Sequence, residues 1–180
     1  MTKPTEDQLI LVDLTDHCIG SAPKLTAHEK RLLHRAFSVF LIDGDRMLIH
    51  QRNKDKYHSG GLWTNACCSH PRYGEELTDS VHRRMRQELG IDTEVKELFH
   101  FVYYRDYGSL AEYEYDHVFL GHLPSDRPIP YDPDEIMDLR WITLAELEQE
   151  MTGHPEHFSA WFMTAAPGVL EYLKDHLTTE

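Results

Sequence analysis

A thiol and an imidazole stand two residues apart in the segment Trp63-Thr64-Asn65-Ala66-Cys67-Cys68-Ser69-His70-Pro71. In an extended chain the side chains at i and i+2 share a face, so Cys68 and His70 point into one pocket and Cys67 turns away. Carboxylates recur at the same spacing in Glu112-Tyr113-Glu114. On one strand they face the same way and repel each other unless a cation or a shared proton lies between them. The plainer reading of that stretch is an exposed edge strand dotted with acid, its Tyr113, Tyr115 and Phe119 face buried. His28 and His34 do not share a helical face and converge only if a loop runs into a strand start. Together His28, His34, His70, Glu112 and Glu114 form a mixed nitrogen and oxygen set suited to Mn2+, Mg2+ or Zn2+.

Such residues need elements to hold them. Residues 8–14 read as a short strand, and 36–42 and 47–51 flank the hairpin signal Asp43-Gly44-Asp45. A loop over 52–61 leads into the thiol segment. Residues 75–89 have helix-forming composition, with Leu77, Val81, Met85 and Leu89 at fourfold spacing and Gly90 placed as a stop. Residues 94–104 and 111–122 read as two strands joined through Asp106-Tyr107-Gly108-Ser109. A turn-rich stretch, 124–133, and a strand over 135–142 follow. The tail predicts helices at 143–151, 156–164 and 167–176, with Pro155 and Pro167 as boundaries. Strands and helices without regular βαβ alternation imply an α/β fold of the mixed α+β kind, a mixed sheet covered by helices, in one domain over 1–180.

The chain's 180 residues suffice to bury a core without disulfides, so it should fold alone. A monomer suffices, although the sequence leaves oligomeric state open. With 18 Lys and Arg against 31 Asp and Glu, the net charge of −13 repels polyanions, so nucleic acid is not an expected partner. A small anionic substrate requires local Arg and Lys, or bound divalent cations, to reverse that field. No window approaches the apolar length of a membrane span, and Met1 to Glu6 lack the layout of a signal peptide. Three cysteines, Cys18, Cys67 and Cys68, make no disulfide framework, and unpaired thiols persist in a reducing compartment, so a cytoplasmic location is expected.

On the predicted helix, Arg84 and Glu88 share a face at i and i+4; alone, they read as a solvated, ion-paired surface. The wider pattern Ser69-x5-Glu75-x7-Arg83-Arg84-Met85-x-Gln87-Glu88-x-Gly90-Ile91 resembles the Nudix box, which holds Mg2+ against a diphosphate. It departs from that box in three places. Ser69 stands for the leading glycine, and Arg84 and Gln87 stand for two metal-binding glutamates. Hydrolysis needs several carboxylates to hold metal and activate water. Their loss argues against a hydrolase, and an Arg among them suits phosphate binding.

The chain resembles the type I isopentenyl-diphosphate isomerases, the metal-dependent Nudix-fold kind that needs no flavin. The resemblance rests on His28 with Arg31-Leu32-Leu33-His34-Arg35-Ala36-Phe37-Ser38, Gly61-Leu62-Trp63-Thr64-Asn65 through His70-Pro71, and Arg83-Arg84 with Glu88-Leu89-Gly90. Glu112-x-Glu114, Asp134-Glu135-Ile136-Met137 before Trp141, and Phe158-Ser159-x-Trp161 complete it. It implies that His28, His34, His70, Glu112 and Glu114 bind a divalent ion and that Glu88 helps place Mg2+ on the substrate diphosphate. It further implies that Lys24, Arg52, Lys56 and Arg84 contact that diphosphate. The implied reaction converts isopentenyl diphosphate to dimethylallyl diphosphate, with Glu114 as acid or relay poised by Tyr104, and Cys68 as an opposing thiolate base. Trp161 is expected to face the tertiary carbocation. Trp161 as ordinary core and Tyr104 as strand packing are the plainer alternatives. A Nudix diphosphohydrolase and a non-catalytic metal-stabilised module are the competing functions.

Overall fold

The computed structural model describes residues 7–56 and 58–177; residues 1–6, 57 and 178–180, which the expected domain 1–180 includes, lie outside the described residues. An N-terminal hairpin, β1 (Gln8–Val12) and β2 (Cys18–Pro23), leads into the short helix α1 (Lys24–Glu29) and then β3 (His34–Asp43). The order continues with β4 (Arg46–Arg52), β5 (Trp63–Thr64), β6 (Cys67–Ser69), α2 (Leu77–Arg84), β7 (Val95–Asp106), β8 (Ala111–His122), β9 (Ile136–Thr143), α3 (Leu144–Gly153) and α4 (Ala160–Leu177).

β3 organises the sheet. It pairs in parallel with β8 from His34↔Glu114 to Ile42↔His122 and antiparallel with β1, β4 and β6. β7 lies on β8 and β9 on β4, both antiparallel. Both faces are buried, as the near-continuous apolar run of β3 requires. One face packs Phe40, Ile42, Val118 and Leu120 against Phe162, Ala166 and Leu170 of α4. The other packs Val39, Leu41 and Phe119 against Val81, Met85 and Leu89. This is the mixed sheet between helices that the sequence implied.

Three helix boundaries differ from expectation. The helix expected over 75–89 begins as α2 and finishes as a π-helical turn, Met85–Leu89, closed by Gly90 at φ 65. Gly90 is required twice over, because a Cβ there would lie 2.7 Å from Pro130. The two tail helices divided at Pro167 are instead one, α4, with exposed Pro167 inside it. Proline inside a helix costs about 3 kcal/mol, whereas burying each large apolar side chain contributes about 1.5–3 kcal/mol. Phe162, Val169, Leu170 and Leu173 on the opposite side therefore outweigh it. The helix expected at 156–164 starts only at Ala160, because residues just before it are tied to β5. Ser159 N donates to the Trp63 carbonyl at 2.9 Å, and Ser159 Oγ to Thr64 Oγ1 at 2.9 Å.

Candidate active site

β3 starts at His34, a few residues after α1 ends, and this loop-to-strand transition brings His28 and His34 together. Their ring centroids are 4.9 Å apart; those of His34 and His70 are also 4.9 Å apart. Glu114 Oε1 accepts from His70 Nε2 at 2.8 Å and lies 3.7 Å from His34 Nε2. One ligand atom from each of His28, His34, His70 and Glu114 falls within 4.8 Å of all the others. Backbone carbonyls set the tautomers from behind. Nδ1 of His28 donates to the Lys24 carbonyl at 2.7 Å and Nδ1 of His34 to the Leu32 carbonyl at 2.8 Å, leaving each Nε2 for the cluster. Buried His34 Nε2 has no hydrogen-bond partner, an orphaned lone pair that a divalent ion would satisfy. Burial lowers His28 and pushes His70 down to about 3, so both are neutral, the form that ligates metal. The residues fit the ion the sequence implied.

Glu112 is not part of that group of four. Its carboxylate accepts from Tyr107 Oη at 3.1 Å and lies 3.2 Å from His58 Nε2. Burial, reinforced by neighbouring Glu114, raises Glu112 well above the carboxylate range. Burial pushes Glu114 the same way, but the close approach of His34 and the hydrogen bond from His70 prevail and hold it well below that range. The two carboxyls thus differ in charge, as close like charges must.

A cavity of about 110 Å3 joins these groups to the rest of the site, and every expected site residue except His34 and Tyr104 lines it. Lys24, Arg52, Lys56 and Arg84 all face it. Among the described residues, Arg52 Nε and Arg84 Nε are buried without hydrogen-bond partners, as expected of donors awaiting an anion. Five carboxyls, Glu88, Glu112, Glu114, Asp116 and Glu135, line it too, but burial raises Glu88, Glu112 and Asp116 toward their neutral forms, so they offset the four cations only in part. Arg84 pairs with Glu88, and Lys56 Nζ lies 2.5 Å from Glu135. Gln87 accepts from Arg83 and Arg84 at 3.1 and 3.3 Å, so α2 and its π turn present a single carboxylate, Glu88, to the cavity.

β6 separates the thiols as i, i+1 alternation requires. Cys67 is fully buried in the core beside Val81 and Met85, while Cys68 lines the cavity with His70. Cys68 is not a resting thiolate. Burial pushes its thiol far up, and Arg52, the largest opposing influence, does not compensate. Tyr104 also departs from expectation. Strand register pairs Tyr103 with Glu114 and Tyr104 with Tyr113, so Tyr104 lies half-exposed on the outer face, its hydroxyl directed to Asp106 at 3.4 Å. Tyr103 points inward instead, its buried Oη close to Glu112 and Tyr107. Trp161 is 4% exposed, and Arg52 sits over its ring at 5.0 Å from the centroid.

Sequence reasoning missed several site residues. Asp116, two residues beyond Glu114 on the same face, accepts from Ser38 Oγ at 2.9 Å. Continuing the i, i+2 alternation would have found it. His58 and Tyr107 come from loops, where no period applies; they stack at 4.7 Å beside Glu112.

This fold and this site define a Nudix protein. The NUDIX domain model matches residues 32–162. The solved structure of DR0079 from Deinococcus radiodurans superposes with a TM-score of 0.67 at 18% identity, covering 82% of this chain and 90% of that one. A MutT protein from Methanosarcina mazei superposes at 0.62 and 15% identity, covering 82% and 96%. Sequence relatives narrow the class. Isopentenyl-diphosphate Delta-isomerase 2 of Aromatoleum aromaticum is 46% identical over 92% of this chain and 87% of its own length. Isopentenyl-diphosphate Delta-isomerase of Serratia proteamaculans is 42% identical over 88% and 89%. The chain belongs to the isopentenyl-diphosphate Delta-isomerase family of Nudix proteins.

Proposed function

We propose that the protein, acting as one domain in the cytoplasm, converts isopentenyl diphosphate to dimethylallyl diphosphate by moving a proton on and another off. The observation that carries this reading is the enclosure of Cys68, Glu112, Glu114 and Trp161 in one cavity with four cationic side chains. The unpaired thiols suit a reducing compartment, and among the described residues no helix is long and apolar enough to cross a membrane.

Lys24, Arg52, Lys56 and Arg84 bind the diphosphate, and Glu88 would help hold Mg2+ beside it. His28, His34, His70 and Glu114 would hold Mn2+, Mg2+ or Zn2+, with Glu112 alongside. When bound, the ions would add positive charge beside the diphosphate to that of the four cationic side chains. An unactivated alkene is a feeble base, so its terminal methylene needs a positioned strong acid. The Glu112/Glu114 pair supplies it, with Tyr103 rather than Tyr104 as the neighbouring hydroxyl. Cys68, on β6, removes the proton from the carbon adjacent to the one bearing the diphosphate.

In the resting site the proton sits on Cys68 while Glu114 is ionised. Glu112, raised by burial, already carries the acid's proton, and loss of the Cys68 proton to solvent, favoured by Arg52, supplies the thiolate, so both groups exchange with water between turnovers. Arg52 lies over the Trp161 ring, which supports a cation-receiving role for the indole face. As the diphosphate draws Arg52 away, the carbocation takes its place, gaining on the order of 2 kcal/mol. Closure of the cavity keeps water from capturing that cation.

A Nudix diphosphohydrolase is disfavoured because Arg84 and Gln87 leave only Glu88 on the helix. Incubation with isopentenyl diphosphate and Mg2+ in heavy water, followed by NMR, separates the readings. Deuterated dimethylallyl diphosphate is expected. Phosphate or pyrophosphate release would establish hydrolysis, and unchanged substrate would defeat both enzyme readings.

A further inference from the structure

A second set of metal-type ligands lies on the opposite face of the β7–β8 ladder. His100 on β7 and His117 on β8 are direct cross-strand partners. Glu97, three residues before His100, would normally face the other way, because side chains alternate along a strand. A register shift between Glu97 and Phe99 inserts one extra residue and returns Glu97 to the side of the two histidines. Bulges commonly serve to re-aim a side chain in this manner. Glu97 Oε1 lies 2.7 Å from His117 Nδ1 and 3.9 Å from His100 Nδ1, and the three ligand atoms fall within 4.8 Å of one another.

The surroundings resemble a supported ligand site more than a solvated polar patch. His117 Nε2 lies 3.0 Å from Asp16 Oδ2. Asp16 is itself clamped by Arg35, whose Nε donates to Oδ1 at 2.8 Å and whose Nη2 donates to the Asp16 carbonyl at 2.7 Å. Asp16 is held at φ 62, a conformation that aspartate tolerates better than most residues and that persists where the surroundings impose it. Both ring nitrogens of His117 thus face carboxylates, and the 2.7 Å between Nδ1 and Glu97 Oε1 calls for a cation to join them, either a proton or a metal ion. A carboxylate held behind a histidine whose other nitrogen faces a ligand cluster is the usual way a zinc-ligating imidazole is oriented.

We propose that Glu97, His100 and His117 form a divalent transition-metal site of the zinc type, separate from the catalytic cluster, with Asp16 as the positioning residue behind His117. Two imidazoles and one carboxylate suit Zn2+ better than Mg2+ or Ca2+, which prefer oxygen ligands throughout. His100 and Glu97 are exposed, so water completes the coordination. The ion would tie β7 and β8 to the turn that carries Asp16.

Equilibrium dialysis of the metal-free protein against Zn2+, with bound metal quantified by mass spectrometry, tests this. His100→Ala should bind one equivalent fewer than the wild type while keeping isomerase activity. Asp16→Asn should hold that same equivalent about 10–100-fold more weakly. A His154→Ala/His157→Ala variant controls for the exposed His154, Glu156 and His157 group and should match the wild type. Wild-type stoichiometry in His100→Ala, or an equivalent that disappears with His154 and His157 instead, would overturn the proposal.

Discussion

The two faces of the β7–β8 ladder carry similar residue types and opposite chemistry. Inward, Tyr103, Glu112, Glu114 and Asp116 are buried, and burial raises Glu112 and Asp116 while the contacts of Glu114 with His34 and His70 overcome burial and lower it. Outward, Tyr104, Tyr113, Glu97 and His100 are partly or largely exposed, and their ion pairs are surface contacts that each contribute little. Side-chain chemistry alone does not separate Tyr103 from Tyr104, or Cys68 from Cys67. The face each occupies does, and a one-residue change of register would exchange their roles.

The largest break in that contrast comes at Glu114. Glu114→Gln removes both a metal ligand and a proton-handling group, so turnover should fall by at least the ~10²–10⁴-fold that general acid–base catalysis contributes. Steady-state kinetics at saturating substrate and Mg2+ check this, and a loss under tenfold would displace Glu114 from the mechanism. The neighbouring tyrosines sharpen the comparison further. Tyr103→Phe should lower kcat about 10²-fold, the scale of losing one positioned donor. Tyr104→Phe, on the outer face, should remain within a factor of two or so of wild type, since surface substitutions change little; the reverse ranking would restore Tyr104 to the site.

That tyrosine marks the limit of what the sequence alone could show. β3, β4, β8 and the helix ending at Gly90 were legible because each carries its own period or stop signal. The parity that joins Cys68 with His70, and Glu112 with Glu114, was legible because both members lie on one strand. Tyr103 was not, because its facing depends on pairing between β7 and β8, a contact with no local signature. Pro167 misled for the opposite reason: a strong local break signal was overruled by burial along α4. The neutral state of Cys68 also escaped, since the cations nearby are visible in sequence and the desolvation is not.

A smaller effect is expected where cations meet substrate. Arg84→Glu places a second negative charge against Glu88 and removes a charge-assisted phosphate contact, so KM should rise at least about tenfold with a lesser change in kcat. An unchanged KM would make Arg84 a structural partner of Glu88 alone. The smallest effect concerns pH. Burial pushes His50 and His58 from 6.5 down to about 4, so the unfolded chain takes up protons before the folded one does. Their stabilising contribution is complete above about pH 6.5 and declines as pH falls toward about 4. The thermal midpoint of metal-free protein should therefore be lower at pH 5 than at pH 7. A midpoint that rises on acidification would contradict neutral burial of these rings.

The central claim is that of two adjacent thiols only the one facing the cavity handles a substrate proton. NMR of isopentenyl diphosphate with Mg2+ in heavy water, run in parallel with Cys67→Ala and Cys68→Ala, tests it directly. Cys67→Ala should yield deuterated dimethylallyl diphosphate at a rate near wild type, and Cys68→Ala should bind substrate but yield none. Continued isomerisation by Cys68→Ala, or its loss in a folded Cys67→Ala, would contradict the account.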